Sequence, residues 1–241
     1  LEEYMLGNEY FIDALIYNGT MTITGFADRH IYYPPYFIEM GHTMPSEIDE
    51  QKKLELISTF ALAVKSLGLT HGAAKADIKY TPNGPMIGEI AARLSGGYMS
   101  GWTFPYSSDI NLTEQALLIS CGRTPVDLEK KRIPVEYIPC ESCKTKQKPF
   151  DLYEIPSKKV SAERAWISIP GKVNKYYEIE KSEIIKDVFP RNINISDNLD
   201  FPRNNVEKCG NVISLANSRS EAIAFSEKAI SDTFIRLQPN N

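Results

Sequence analysis

The sequence predicts an α+β fold, in which an antiparallel sheet with packed helices is followed by a smaller, β-rich module. Three patterns support this fold class. Residues 10–24 alternate between two faces on either side of an Asn-Gly pair, which is typical of two strands joined by a tight turn. Residues 47–67 carry apolar side chains at helical spacing. After residue 125 the sequence breaks into short β-prone runs separated by proline and glycine.

The helix and strand limits follow from caps and stop signals. Ser46 is predicted to cap the first long helix, with Asp49 three residues later as in a capping box. Gly68 is predicted to end that helix. The same patterns predict a helix over residues 111–122, a strand over residues 210–215 and a helix over residues 218–235.

The 241-residue chain is long enough for two small domains, and its composition changes near residue 130. We therefore predict an α+β segment over residues 1–130 and the β-rich module over residues 131–241. The chain begins at Leu1, within a run that resembles a strand, so it is predicted to be a fragment of a longer protein.

Charge and composition argue against several classes of partner. The net charge of -4 and the absence of a basic stripe argue against nucleic acid. The sequence has no apolar run long enough to span a membrane and no signal peptide. Four cysteines are too few for a disulfide-rich secreted domain, so a cytoplasmic location is predicted. Cys140-Glu-Ser-Cys143 lacks a second ligand pair for zinc and is interpreted as a loop with reduced thiols.

Residues 73–93 hold the most informative pattern, a predicted β-hairpin. A five-residue loop centred on Asn83 would place Asp77 directly opposite Glu89. Because side chains alternate along a strand, the two acids share one face of the hairpin. That face also carries Lys75, Lys79, Ile87, Ala91 and Arg93. The opposite face is apolar and is predicted to pack in the core, with Ala74, Ala76, Ile78, Tyr80, Ile90, Ala92 and Leu94.

Two carboxylates opposite each other on a sheet repel, and a divalent cation between them would reverse the sign of this interaction. Mg²⁺ takes one or two carboxylates together with substrate phosphates, so Asp77 and Glu89 are candidate Mg²⁺ ligands. Arg93 on the same face is a candidate for holding a phosphate or an acyl-phosphate oxygen. The alternative is that Lys75 and Lys79 neutralise the acids in surface salt bridges, which contribute little. A four-residue loop would instead put the acids on opposite faces.

These residues resemble the ATP-grasp superfamily. There, a strand with an acid is followed by a hairpin and a strand with the pattern Glu-x-(Asn or Ala)-x-Arg before glycines. Here Asp77 precedes Glu89-Ile-Ala-Ala-Arg93-Leu-Ser-Gly-Gly. The resemblance implies that the two acids bind Mg²⁺ between ATP phosphates and that the arginine meets an acyl phosphate. It covers residues 1–125 well and residues 160–235 loosely, and it implies an ATP-grasp large lobe followed by a C-terminal module.

The start of the chain is similar to the strand that passes the adenine in this family. The resemblance implies that Glu2 takes the exocyclic amine and that Tyr4 and Met5 line the ring. The segment Gly-Asn-Glu9 matches the family's Gly-x-Glu, which implies that Glu9 holds the ribose hydroxyls. Arg29 occupies a place where a basic residue often reaches the phosphates.

Residues 37–46 resemble the subgroup that contains bacterial L-amino-acid ligases and relatives of the carbamoyl-phosphate synthase large subunit. The resemblance implies that Glu39 and His42 face the carboxylate or amine substrate. The implied function is an ATP-dependent ligase that joins a small-molecule carboxylate to an amine, with amino acids as candidate substrates, through an acyl phosphate formed with Mg-ATP. The oligomeric state is left open, with a homodimer as one option.

Two departures from the family leave alternatives open. Ala91 stands where many members have an Asn that also ligates metal, which leaves a second metal site open. The glycine-rich flap and the lysines of the family's small lobe are not found in this sequence, so the isolated chain is predicted to bind ATP weakly without turnover. The alternatives are an enzyme that activates bicarbonate, as carbamoyl-phosphate synthase and biotin carboxylase do, and a non-catalytic nucleotide-binding or structural module.

Overall fold

The computed structural model describes residues 3–139, 147–177 and 179–238. The helices are α1 (Glu50–Ser66), α2 (Phe104–Ser108), α3 (Leu112–Ser120), α4 (Val126–Lys131) and α5 (Arg219–Asp232). The strands are β1 (Asn8–Tyr17), β2 (Thr20–Tyr32), β3 (Ile38–Met44), β4 (Gly72–Thr81), β5 (Gly84–Ala91), β6 (Ile133–Pro134), β7 (Asp151–Glu154), β8 (Val160–Trp166), β9 (Gly171–Tyr177), β10 (Ile185–Pro190), β11 (Asn198–Leu199), β12 (Gly210–Ala216) and β13 (Phe234–Gln238). In these ranges no helix combines the length and the hydropathy needed to cross a membrane.

The chain forms two compact units. Unit 1 comprises Leu1–Asp28 and Met44–Lys158, and unit 2 comprises Arg29–Thr43 and Lys159–Asn241. This division differs from the boundary predicted near residue 130. The physical reason is that β7 pairs in parallel with β2, which ties the segment after α4 to unit 1.

Unit 1 is built on a sheet with the strand order β2-β1-β4-β5. The predicted hairpin is confirmed, since Asn18 and Gly19 join β1 to β2 with φ angles of 48° and 76°, the left-handed conformation that a tight hairpin turn requires. Strand β4 pairs antiparallel with both β1 and β5. Helix α1 packs on β4 and β5, and its Ile57 and Phe60 are fully buried in the core.

The first long helix begins three residues later than predicted. Asp49 is its N-cap and accepts a hydrogen bond from the backbone N–H of Lys52 at 3.3 Å. The prediction of Ser46 as the cap is wrong, because the Ser46 hydroxyl donates to Asp28 and its backbone N–H donates to the carbonyl of Phe26. These contacts hold Ser46 against β2 and leave the cap to Asp49.

In unit 2 the strands β10, β12, β8 and β3 are neighbours in that order, and a small sheet has the order β11-β9-β13. Helix α5 packs on β8 and β12. Its N-cap is Ser218, which accepts from the backbone N–H of Glu221, so the predicted helix start is confirmed. The helix ends at Asp232, and the last residues of the predicted helical segment belong instead to β13, which pairs with β9.

Of the four cysteines, Cys121 is exposed and Cys209 is buried, and both are free thiols. Burial raises the pKa of the Cys209 thiol to about 11, which makes it unreactive at neutral pH. The predicted loop with Cys140 and Cys143 lies outside the described residues.

Candidate functional site

The β4–β5 hairpin pairs Asp77 with Glu89, as predicted, but through a different register. The turn is shorter than expected, because Thr81 pairs with Gly84 and leaves two residues between the strands. A β-bulge next to Asp77 then adds one residue, Gly88, to β5. The bulge shifts the register by one residue and restores the Asp77–Glu89 pair.

The bulge also changes which residues share a face. Ile87 pairs with Ile78 and packs against the core of unit 1 together with Ile90. The assignment of Ile87 to the face of the acids is therefore wrong, because a side chain before the bulge points to the opposite face from the one expected for an uninterrupted strand. The apolar face predicted for β4 is confirmed, since Ala74, Ala76 and Ile78 are fully buried.

The ammonium of Lys75 bridges the two acids. Its Nζ lies 2.6 Å from Oε1 of Glu89 and 3.1 Å from Oδ1 of Asp77. The side chains of Lys75, Asp77 and Glu89 are 5%, 18% and 55% exposed, so Glu89 lies at the surface, Asp77 is mostly buried and the lysine lies beneath them. Nζ of Lys75 also lies over the ring of Phe11, 5.4 Å from its centroid, which is a cation–π distance. One alternative in the sequence analysis was that lysines neutralise the two acids. The ion pairs of Lys75 with Asp77 and Glu89 are present, as that alternative predicts.

A buried carboxylate lies next to this lysine on β1. Asp13 pairs with Lys75 across the β1–β4 ladder and is fully buried. The hydroxyls of Ser95 and Ser100 both donate to Oδ2 of Asp13, the first at 2.7 Å. Burial raises the pKa of Asp13 to about 6, an effect that the bonds from Ser100 and Ser95 and the charge of Lys75 oppose. These bonds anchor the segment after β5 to the sheet.

Arg93 lies at the start of this anchored segment. Its side chain is 58% exposed, and Nη2 lies 4.0 Å from Oε1 of Glu89. Nη1 donates to the carbonyl of Leu94 at 3.1 Å. Gly97 and Tyr98 follow with φ angles of 60° and 63°, so the chain turns sharply before a π-helical turn over Met99–Thr103. The predicted phosphate-binding arginine is therefore an exposed cation beside the acid pair.

The residues predicted to bind the nucleoside meet at Lys79. Its Nζ lies 3.3 Å from Oε2 of Glu9, donates to the carbonyl of Met5 at 3.3 Å and lies 5.6 Å from the ring centroid of Tyr4. Lys79 thus pairs with Glu9. Gly7 holds this segment close to β4, because a Cβ at that position would lie 2.2 Å from the carbonyl oxygen of Tyr80. Glu2, the predicted adenine acid, lies outside the described residues.

The remaining predicted residues belong to unit 2, where Arg29 pairs with Glu39. Nε and Nη2 of Arg29 lie 2.9 Å and 2.8 Å from the same oxygen, Oε2 of Glu39. The backbone of Glu39 is fixed as well, since its carbonyl accepts from Lys208 at 2.8 Å and its N–H donates to Asn205 at 2.8 Å. Burial raises the pKa of Glu39, but the charges of His42, Arg29 and Lys208 outweigh it and lower the pKa below its ordinary value.

His42 is fully buried between two carboxylates. Nδ1 lies 2.8 Å from Oε2 of Glu163, and Nε2 lies 3.7 Å from Oε2 of Glu39. The other oxygen of Glu163 accepts a hydrogen bond from Asn211, and Arg164 donates to the carbonyl of His42 at 2.9 Å. His42 therefore connects Glu39 to a buried acid. The role of His42 toward a substrate stays a prediction.

The sequence analysis missed Glu163, Asn211 and Asp13. Each belongs to a strand whose other residues are mostly small or apolar, and each is buried. An acid or amide within such a strand is a signal, because a buried polar group requires a partner. The signal identifies the residue but not its partner, which comes from a distant part of the chain.

The Arg29–Glu39 pair makes one testable prediction. Replacing Arg29 with Met removes one of the charges that lower the pKa of Glu39, so we expect that pKa to rise. A group whose pKa is lowered by folding contributes stability above its unfolded pKa, and this contribution is lost as the pH falls through the folded pKa. The variant should therefore lose part of this contribution, which is measured as the dependence of the free energy of unfolding on pH between 3 and 6. An unchanged dependence would show that Arg29 does not stabilise the Glu39 carboxylate.

The geometry can be compared with that of known proteins. Residues 1–101 match the family model of the ATP-grasp domain. The acid pair, Lys79 with its contacts, and Arg93 thus lie within the matched ATP-grasp segment.

Relatives of the ATP-grasp segment are found by sequence and by structure. The chain is 29% identical over 127 residues to carnosine synthase 1 from Gallus gallus, which covers 52% of this chain and 13% of that protein. By structure, L-amino acid ligase from Bacillus licheniformis has a TM-score of 0.74 at 19% identity, over 98% of this chain and 53% of that chain. Phosphoribosylglycinamide synthetase from Anaerococcus prevotii has a TM-score of 0.75 at 15% identity, over 98% and 55% of the respective chains. The structural likeness confirms the predicted α+β fold.

Asp77 and Glu89 are suited to a metal ion that is also coordinated by the phosphates of a bound ligand. Among the described residues, no group of three or more His, Cys, Asp or Glu side chains could hold a metal ion. Asp77 and Glu89 offer two carboxylates on one surface, which is the number that Mg²⁺ takes when phosphates supply other ligands. The chemistry of this donor set therefore fits a Mg²⁺–nucleotide complex better than a bare ion.

Proposed function

We propose that the chain carries the metal- and nucleotide-binding part of an ATP-dependent carboxylate–amine ligase. The observation that carries this proposal is the Asp77–Glu89 pair on one face of the β4–β5 hairpin, with the exposed Arg93 beside Glu89. The likeness to a carnosine synthase and to an L-amino acid ligase supports amino acids as the substrate class. The chain spans 13% of the first and 53% of the second, so the activity of the whole protein is part of the proposal.

In this function, Asp77 and Glu89 hold Mg²⁺ with the phosphates of ATP. The ion, when bound, neutralises phosphate charge as a Lewis acid. Arg93 donates to the transferred phosphoryl group, where charge develops, and its exposed guanidinium is suited to a fork of two hydrogen bonds with phosphate oxygens. Asp13, through Ser95 and Ser100, holds the segment that carries Arg93.

The nucleoside is proposed to bind along the segment before β1. Tyr4 and Met5 would line the adenine, with Glu2 as the acceptor for its amine, and Glu9 would accept from the ribose hydroxyls. Lys79 supports this role, because it holds both Met5 and Glu9 in place. Lys79 is therefore proposed as the residue that positions the nucleoside contacts.

The substrate is proposed to contact unit 2 at Glu39, with Arg29 and His42 as the groups that orient this carboxylate. A carboxylate kept ionised in a nearly buried position is suited to an ammonium group, such as that of an amino acid. The proposal places the enzyme in the cytoplasm, with small-molecule partners and a homodimer as a candidate assembly.

A thermal melt with Mg²⁺-ADP tests the proposed site. We expect the wild type to gain about 3 kcal/mol at a ligand concentration of 100 times Kd, because a ligand that binds only the folded state must stabilise it. For a chain of this size, that gain corresponds to an increase in Tm of about 5 °C or more. The Asp77→Asn/Glu89→Gln variant should show no metal-dependent increase.

A matched control separates the site from the change in net charge. The Asp151→Asn/Asp232→Asn variant also removes two negative charges, at exposed positions that form surface ion pairs. This variant should retain the full increase in Tm. The same increase in the wild type and in the Asp77/Glu89 variant would contradict the proposed metal site and favour a structural role for the hairpin.

A further inference from the structure

The position of Lys75 in the β4–β5 hairpin has a consequence for metal binding. Its ammonium contacts one oxygen of each acid, Oδ1 of Asp77 at 3.1 Å and Oε1 of Glu89 at 2.6 Å. The lysine is almost fully buried, and its Nζ lies near the ring of Phe11. A buried ammonium held by two carboxylates is a fixed positive charge in the middle of the acid pair.

The residue opposite Lys75 supplies no ligand. Lys75 pairs directly with Ala91 across β4 and β5, two positions beyond Glu89 on the same strand. Alanine has no donor atom for a metal ion. In the described ranges, no third acid, histidine or cysteine completes a metal-binding group with the two acids. A second divalent ion would therefore have to share the same two carboxylates, close to the ammonium of Lys75.

One divalent cation can still bind with Lys75 in place. A carboxylate has two oxygens and accepts several contacts, so an acid that binds the lysine through one oxygen can also bind a metal ion. A second ion is disfavoured at this position, because it would be repelled by both the ammonium and the first ion. The charge and the ligand set thus both favour a single ion.

We propose that Lys75 is a built-in cation of this site, so that the chain binds one divalent ion with the nucleotide and the lysine ammonium takes the place of a second. This inference rests on the proposed function, since it assigns the number of ions at the same site. Lys75 acts in two ways. It keeps the two acids together when no metal is bound, and it supplies a positive charge near the phosphates when the nucleotide is bound.

The test counts bound ions and does not rely on activity. Mn²⁺ is titrated into the full chain with saturating ADP, and free Mn²⁺ is measured by electron paramagnetic resonance. We expect one Mn²⁺ per wild-type chain. Lys75→Met removes the charge at nearly constant length and should bind that ion at least threefold more tightly. Lys75→Met/Ala91→Asp also places a donor opposite and should bind two ions.

The controls separate this inference from the proposed function. Lys75→Arg keeps the charge and should bind one ion. Two ions per wild-type chain, both lost in Asp77→Asn/Glu89→Gln, would overturn the role of Lys75 and leave the metal site intact. An unchanged Mn²⁺ affinity in Lys75→Met would also overturn the role of Lys75. The number of ions bound by the wild-type chain tests the inference even if a variant fails to fold. Unchanged Mn²⁺ binding in the Asp77→Asn/Glu89→Gln variant would overturn the metal site itself.

Discussion

Replacing Glu163 with Ala is expected to lower the free energy of unfolding by about 3–5 kcal/mol, because it removes the buried partner of two polar side chains and leaves a cavity. Glu163 is fully buried, and its two oxygens contact Nδ1 of His42 and the side-chain amide of Asn211. The substitution leaves both of these polar groups buried without the carboxylate and creates a cavity in the sheet of unit 2. The measurement is a urea unfolding curve at neutral pH.

Two controls accompany this experiment. Glu163→Gln keeps the volume and one acceptor oxygen, so its loss should be smaller, about 1–3 kcal/mol. Glu183→Ala removes an exposed glutamate of the same unit and should change stability by less than about 0.5 kcal/mol. If Glu163→Ala costs no more than Glu183→Ala, the buried carboxylate does not hold His42.

The second large effect concerns Asp13 and pH. Its pKa in the folded chain is about 6, above the ordinary value of 3.8, because burial penalises the charged form. Between these two values the folded chain holds a proton that the unfolded chain has released. Stability from this group therefore falls as the pH rises from about 4 to about 6. The total loss is about 3 kcal/mol, since each pKa unit corresponds to about 1.4 kcal/mol.

The Asp13 effect can be isolated by a pH series on two proteins. Asp13→Asn cannot ionise, so it should lack this component while retaining an acceptor for Ser95 and Ser100. The difference in unfolding free energy between the variant and the wild type should grow in favour of the variant from pH 4 to pH 7. Parallel curves would show that Asp13 does not change its ionisation in this range.

The sequence predicts the Asp77–Glu89 pair correctly for an incomplete reason. A count outward from a five-residue loop gives the observed pair, but the real turn has two residues and a bulge adds the missing one. The shorter turn shifts the register by one residue and the bulge shifts it back by one. Counting residues along the sequence gives only the sum of the two shifts, so it cannot distinguish this arrangement from a five-residue loop without a bulge. The error becomes visible only at Ile87, which lies on the core face because it precedes the bulge.

Local patterns also define most helices and strands, because caps and periodicity depend on neighbouring residues. They give β1, β2, β12 and the start of α5. They do not give contacts between distant segments. His42 meets Glu163, 121 residues later, and β7 pairs with β2. Such pairs depend on the tertiary arrangement, so a sequence can show that a buried acid needs a partner without showing which residue it is.

The discontinuous make-up of the two units has a consequence for expression of shortened chains. Because unit 2 contains both Arg29–Thr43 and Lys159–Asn241, a truncation after residue 158 keeps β3 and removes its neighbour β8. The backbone N–H and C=O groups of β3 would then form an unprotected sheet edge, which is a site for aggregation. A chain cut after residue 158 is therefore expected to aggregate more readily than the full chain.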